Sequence, residues 1–135
     1  MKRALSLLAA LVIVAVLVVG FRGGCDTTDI HNPESVARAA ILSLESYDID
    51  QVCQYFTGSA YGQMAEGLDD FYSLNSNIRI NNATAAAIEK TATIATLYIS
   101  YDLSREIYGH SDTIHVAKKV QAVSQNGVWY LSSPI

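Results

Sequence analysis

The sequence predicts an α+β fold behind an N-terminal transmembrane helix, with about three helices packed on a curved antiparallel sheet of about four strands. Three observations carry this. Residues 4–21 form an uncharged apolar run. Between Pro33 and Tyr72 the apolar period is close to 3.6 residues. From Asn75 onward the period falls to 2, and the turn signals there are those that join neighbouring antiparallel strands. Helices first and a strand meander afterwards is the order in which helices cover one face of a single sheet.

The apolar run reads ALSLLAALVIVAVLVVGF and follows Lys2 and Arg3 directly. As a helix it spans about 27 Å at 1.5 Å per residue, close to the roughly 30 Å of bilayer hydrocarbon. The two cations mark the inner side, so the chain reads as a single-pass cell-membrane protein with a cytoplasmic N-terminus and an extracytoplasmic domain. Two other fates stay open. Cys25, after the small Gly24, is an acceptor for lipidation, although Arg22 stands where such a signal has an apolar residue. Cleavage would have to use the weak Val18-x-Gly20. The organisation is therefore an anchor and its exit over 1–25, a tether over 26–32, and one domain over 33–135.

Charge narrows the function classes. Of nine basic residues, Lys2, Arg3 and Arg22 flank the apolar run, while all thirteen acidic residues follow it. The exported part thus sets six basic against thirteen acidic residues, a formal charge of −7. Such a surface repels nucleic acid, so nucleic acid is excluded as a partner. The partner the sequence does specify is the lipid bilayer, through residues 4–21.

Asn32 before Pro33 and Glu34 reads as a helix N-cap with proline at the first position and an acid in the first turn. The helix that follows, to about Ser46, carries Val36, Ala40 and Leu44 on one stripe, with Ala37 and Ile41 beside it. Asp48 starts a second helix, with Gln51 completing a capping box and Tyr47 stapling onto Val52. Its face is Ile49, Val52, Cys53 and Phe56. Gly58 suits a left-handed stop, and Ser59 caps a third helix carrying Tyr61, Met64, Ala65, Leu68, Phe71 and Tyr72, weakened by Gly62 and Gly67.

A first strand covers 78–89, with its register undetermined. In the second, Ala95, Leu97, Ile99, Tyr101 and Leu103 share one face, with Thr96, Tyr98, Ser100 and Asp102 opposite. Residues 105–112 hold a turn at Gly109. The third strand puts Ile114, Val116, Val120 and Ala122 inside, and Asn126-Gly127 is a hairpin turn leading into Val128–Ser132. In that last strand Trp129 and Leu131 should face the helices, and Val128 and Tyr130 should face away.

The stretches PESVARAAILSLESYDIDQVCQYF, ATIATLYISYDL and GVWYLS, in this order, resemble the nuclear transport factor two-like superfamily. The likeness is to small bacterial members held at the membrane by a signal anchor or a lipid. It implies a cystatin-like cone in which a bent sheet wraps helices. Enzymes of that superfamily work inside the cone with an acid or histidine facing substrate, and this chain matches none of their motifs. Other members bind ligands or assemble with partners, and the fold alone does not choose among these. The spanning segment, the acidic domain and the lack of a catalytic set point to a binding or assembly role without evident catalysis, with other envelope proteins or a second copy of the chain as partners. The alternative is a carrier of a small apolar ligand, or a cone enzyme, acting in a cavity between helices and sheet.

No catalytic set, cofactor motif or metal site is expected. Asp48 and Asp50 read as helix-start carboxylates, and Asp69 and Asp70 point about 100° apart near a helix end. His31, His110 and His115 do not form a ligand set, since the last two fall on opposite faces of a continuous strand. Cys53 reads as a small buried hydrophobe, its pairing with Cys25 left open. The candidate cavity-lining residues are Tyr61, Tyr101, Lys118 and Trp129. Lys118 shares the parity of the inward residues of its strand. Either it lines the cavity, or a bulge intervenes, or its stem packs while the ammonium reaches water.

Overall fold

The computed structural model describes residues 28–135. The expected transmembrane helix, Cys25 and the start of the tether lie outside the described residues. Asn32 Oδ1 accepts hydrogen bonds from the backbone N–H of Glu34 (2.9 Å) and Ser35 (3.4 Å) and starts α1, Pro33–Ser43, which tightens into a 3-10 turn over Leu44–Ser46. Val36, Ala37, Ala40, Ile41 and Leu44 are its buried stripe, as their spacing predicts.

Asp48 caps α2, Ile49–Cys53, accepting from the N–H groups of Asp50 (3.0 Å) and Gln51 (3.4 Å). One finer expectation fails here. Asp48's own N–H goes to Ser46 Oγ at 3.1 Å, so Gln51 does not close a reciprocal box. Tyr47 takes a left-handed backbone, φ 56°, and its ring packs on Tyr72, with centroids 5.1 Å apart. Gly58, at φ 63°, is the N-cap of α3, Ser59–Leu74, so Ser59 is the first helical residue rather than the cap. Ala60, Met64 and Leu68 are buried on α3, with Ala65, Phe71 and Tyr72 packed beside them.

The sheet has the order β1-β2-β3-β4, each neighbour antiparallel. Its strands are β1, Ser76–Lys90; β2, Ile94–Ile107; β3, His110–Gln125; and β4, Val128–Leu131. β1 is longer than expected and β3 begins earlier. The turn before β3 is only Tyr108–Gly109, with φ of 51° and 82°; Asn126–Gly127 repeats the geometry at 55° and 82°. Two successive left-handed residues match the twist of the flanking strands, and that keeps each hairpin to two loop residues.

β2 alternates as read: Ala95, Leu97, Ile99, Tyr101 and Leu103 are all buried. β1 does not alternate simply. Its pairing with β2 shifts between Ser76 and Arg79, between Asn81 and Thr84, and between Ala87 and Glu89, with Asn77 and Asn82 in left-handed conformation. The middle shift moves the inward set from Ile78 and Ile80 to Ala83, Ala85 and Ala87. Such irregularities bend a strand and increase its local twist.

β3 carries no bulge. Its pairing with β2 runs unbroken from Ile94↔Val123 to Ile107↔His110, which places Lys118 beside the fully buried Ile99 on the helix side. Lys118 is nevertheless exposed. The helices cover this face of β3 only from Val120 onward; Val116 is half-buried and Ile114 exposed. The far end is closed as expected. Trp129 (5 % exposed) and Leu131 (0 %) point inward, and the Tyr55–Thr57 segment caps the β4 edge by Leu131 N–H to Tyr55 O (2.7 Å) and Thr57 N–H to Leu131 O (3.0 Å).

Candidate functional site

The cover of α3 over β2 is incomplete, and a partly open cavity of about 290 Å³ lies between them. The reason is legible along α3. Met64, Gly67, Leu68 and Phe71 fall on one helical stripe, and at the third of a turn where Gly67 sits there is no side chain to fill the space. A Cβ placed on Gly67 would meet nothing within 4 Å. Tyr101 and Leu103 of β2 form the sheet wall, Leu44 closes one end, and Pro134 and Ile135 lie along the side. Gln63 is the one amide in the lining. The volume is just under the usual range for small-molecule pockets, about 300–1,000 Å³.

The wall is held from outside. Tyr72 Oη donates to the backbone oxygen of Leu44 at 2.8 Å, tying α3 to the end of α1, and burial pushes this phenol up to about 12. Glu45 accepts from the N–H of Ile80 and Arg38 Nε donates to Ala83 O at 3.2 Å, so side chains from α1 and its 3-10 turn satisfy part of the outer edge of β1. Asn75 Oδ1, where α3 ends, is a buried acceptor with no partner among the described residues, although its Nδ2 donates to Phe71 O at 2.7 Å.

Of the four residues expected to line a cavity, only Tyr101 does so. Its ring is 5 % exposed, and burial alone raises its pKa. Tyr61 points outward at 47 % exposure, one face of α3 away from the cavity stripe. Lys118 stands on the uncovered part of β3. Trp129 closes the opposite end of the core, where Lys90 Nζ lies 6.0 Å from its ring centroid. In the sequence Met64, Leu68 and Phe71 read as the core of this helix and Gly67 as a residue that weakens it. The sequence signal for the cavity is a glycine within an otherwise large apolar stripe.

The remaining polar groups lie elsewhere. Asp102 faces away from the helices, bonded to His115 Nδ1 at 2.7 Å and Asn82 Nδ2 at 2.9 Å. His31 Nδ1 sits 2.8 Å from Gly127 O, far along the sheet from His115. Cys53 is buried, and its thiol is raised first by that burial and then by Asp50, which leaves it unreactive. No group of three or more metal-ligating side chains occurs among the described residues.

No protein-family model matches the chain, and no curated protein does. Among solved structures the fold is similar to a protein of unknown function from Mycobacterium tuberculosis, with a TM-score of 0.58 at 11% identity. That match covers 73% of this chain and 64% of the other, so under two thirds of that protein is spanned. It is also similar to a SEC-C motif containing protein from Rhodopseudomonas palustris, with a TM-score of 0.52 at 13% identity and 81% of each chain covered. At these identities the likeness extends to the fold alone.

Proposed function

We propose that this chain is a binding protein whose single α+β domain, held outside the cytoplasm by its N-terminal apolar segment, takes a small apolar molecule into the cavity between α3 and β2. The cone-like architecture of the nuclear transport factor two-like superfamily is the frame that this reading adopts, and the bulged β1 is compatible with it. One observation carries the proposal: the stripe of α3 that should be core leaves a lined space at Gly67, and a gap of this size in a domain of about 100 residues would otherwise be a loss of stability. Tyr101 is the one ionisable side chain in the wall, a composition that supports binding rather than turnover.

The test uses the full chain labelled at methionine methyl carbons. The sequence has two methionines, Met1 and Met64, and Met64 is in the cavity wall, so its methyl resonance is a local reporter. Titration with isopropylbenzene is expected to shift the Met64 signal saturably. In Gly67→Leu, where a leucine fills the space, the shift is expected to vanish while the folded spectrum persists. A wild-type Met64 signal that does not respond would overturn the reading.

A further inference from the structure

The wall of the cavity decides more than size. Its lining contains no lysine, arginine, histidine, aspartate or glutamate, and the exported part of the chain is strongly acidic. An anionic ligand would therefore lose its hydration without meeting a side-chain counter-charge, which disfavours it in an apolar site. A cationic one would likewise find no aspartate or glutamate side chain within the wall. Apart from the exposed amide of Gln63, the hydroxyl of Tyr101 is the one polar side-chain group among the lining residues.

That hydroxyl differs from those of Tyr72, half-buried, and Tyr47, exposed. Tyr72 spends its hydroxyl on Leu44 O, and Tyr47 accepts from Ile78 N–H. Tyr101 makes no side-chain hydrogen bond among the described residues, and burial is the single cause of its raised pKa, with no hydrogen-bond contribution. Its oxygen is also not among the sealed, partnerless atoms, of which Asn75 Oδ1 is the one case among the described residues. Tyr101 itself lines the cavity. Kept protonated at neutral pH, it is a donor placed in an apolar wall, the arrangement by which a pocket orients a ligand through one polar contact.

We infer that the ligand class is uncharged and mainly apolar with one oxygen acceptor, such as a carbonyl, and that Tyr101 is the positioning residue that donates a hydrogen bond to it. This rests on the cavity's being a binding site, and the experiment separates the two. Isopropylbenzene and acetophenone have nearly the same shape and differ in the carbonyl oxygen. Each is titrated against the full chain and against Tyr101→Phe, with the Met64 methyl as reporter.

The expected result is that the acetophenone-to-isopropylbenzene affinity ratio falls about fivefold in Tyr101→Phe, the worth of one net hydrogen bond. Isopropylbenzene itself should bind both chains within a factor of about two, since the phenylalanine keeps the ring. In the wild-type chain the Tyr101 Cζ resonance should move with acetophenone and not with isopropylbenzene, a readout that needs no variant. Benzoate should bind at least tenfold more weakly than acetophenone. An unchanged ratio with a silent Tyr101 Cζ overturns the inference and leaves the cavity reading intact, as does benzoate binding as well as acetophenone. Failure of both neutral probes to move Met64 overturns the cavity reading and this inference with it.

Discussion

Asp102 on β2 and His115 on β3 are directly opposite one another in the antiparallel ladder, and their Oδ1 and Nδ1 atoms are 2.7 Å apart on the face away from the helices. The Asn82 amide, at a left-handed bulge position of β1, reaches the second carboxylate oxygen at 2.9 Å. Three strands are thereby joined through one side chain. Hydrogen bonds from Asn82 first, then from His115, hold the Asp102 carboxyl below its ordinary 3.8.

That relationship fixes the sign of an acid effect. A depressed carboxylate stabilises the fold above its unfolded value and loses that contribution as pH falls through the folded one. Asp102→Asn should therefore lower stability modestly at neutral pH and flatten the fall of the stability curve below 3.8, so that the two chains converge in acid. Urea unfolding of both chains across that range is the measurement, and superimposable curves would refute the linkage.

Trp129 closes the end of the core, inward-facing with Leu131 and with Lys90 over its ring. Trp129→Ala should cost about 3–5 kcal/mol, a large share of the roughly 5–15 kcal/mol that stabilises a domain. Denaturant unfolding followed by far-ultraviolet circular dichroism checks this. A midpoint equal to the parent's would show that the indole is not part of the core.

Gly62 lies inside α3, and a Cβ there would meet nothing within 4 Å. Gly62→Ala should stabilise the domain by about 0.8–1 kcal/mol through helix propensity alone. Melting temperature should rise by several degrees, with no change in Met64 methyl shifts. A lowered melting temperature would mean that something unseen packs at this position.

Asp48 caps a helix of five residues, too short to persist without its cap and its packing. Asp48→Ala should cost about 1 kcal/mol, and Asp48→Asn distinctly less, because asparagine also caps well. Equal losses in the two variants would point to charge rather than capping.

The anchor is tested by fractionation of cells expressing the full chain. Recovery in the membrane fraction at full length is expected, and a soluble, shortened chain as the main species would remove the anchor from the proposal. A lipid found on Cys25 would replace the spanning segment by a lipid tether.

Much of the domain was legible from local chemistry. Asn32 and Asp48 are helix caps because short polar side chains satisfy the first free N–H groups, a bond made within three residues of chain. β2 and β4 could be read by parity because no bulge interrupts them and one face of each is buried. The Asn126–Gly127 turn follows from backbone angles that glycine adopts freely and asparagine tolerates, and Gly109 supplies the same freedom after Tyr108. In β1 the same parity rule fails, since the shift near Asn82 moves the inward set from even to odd numbers.

The sequence by itself determined the element types, their order, the caps of the first two helices, and which face of each regular element is apolar. All of these rest on interactions spanning a few residues. The tertiary structure alone decided where cover stops. Lys118 is on the inward face of β3 yet reaches solvent, because the helices end short of that part of β3; Tyr101 is on the inward face of β2 and is buried. Whether a residue of the right parity becomes core, cavity wall or surface depends on how far a helix extends over the strand. That extent is set by packing between segments distant in the chain, as is the space left at Gly67.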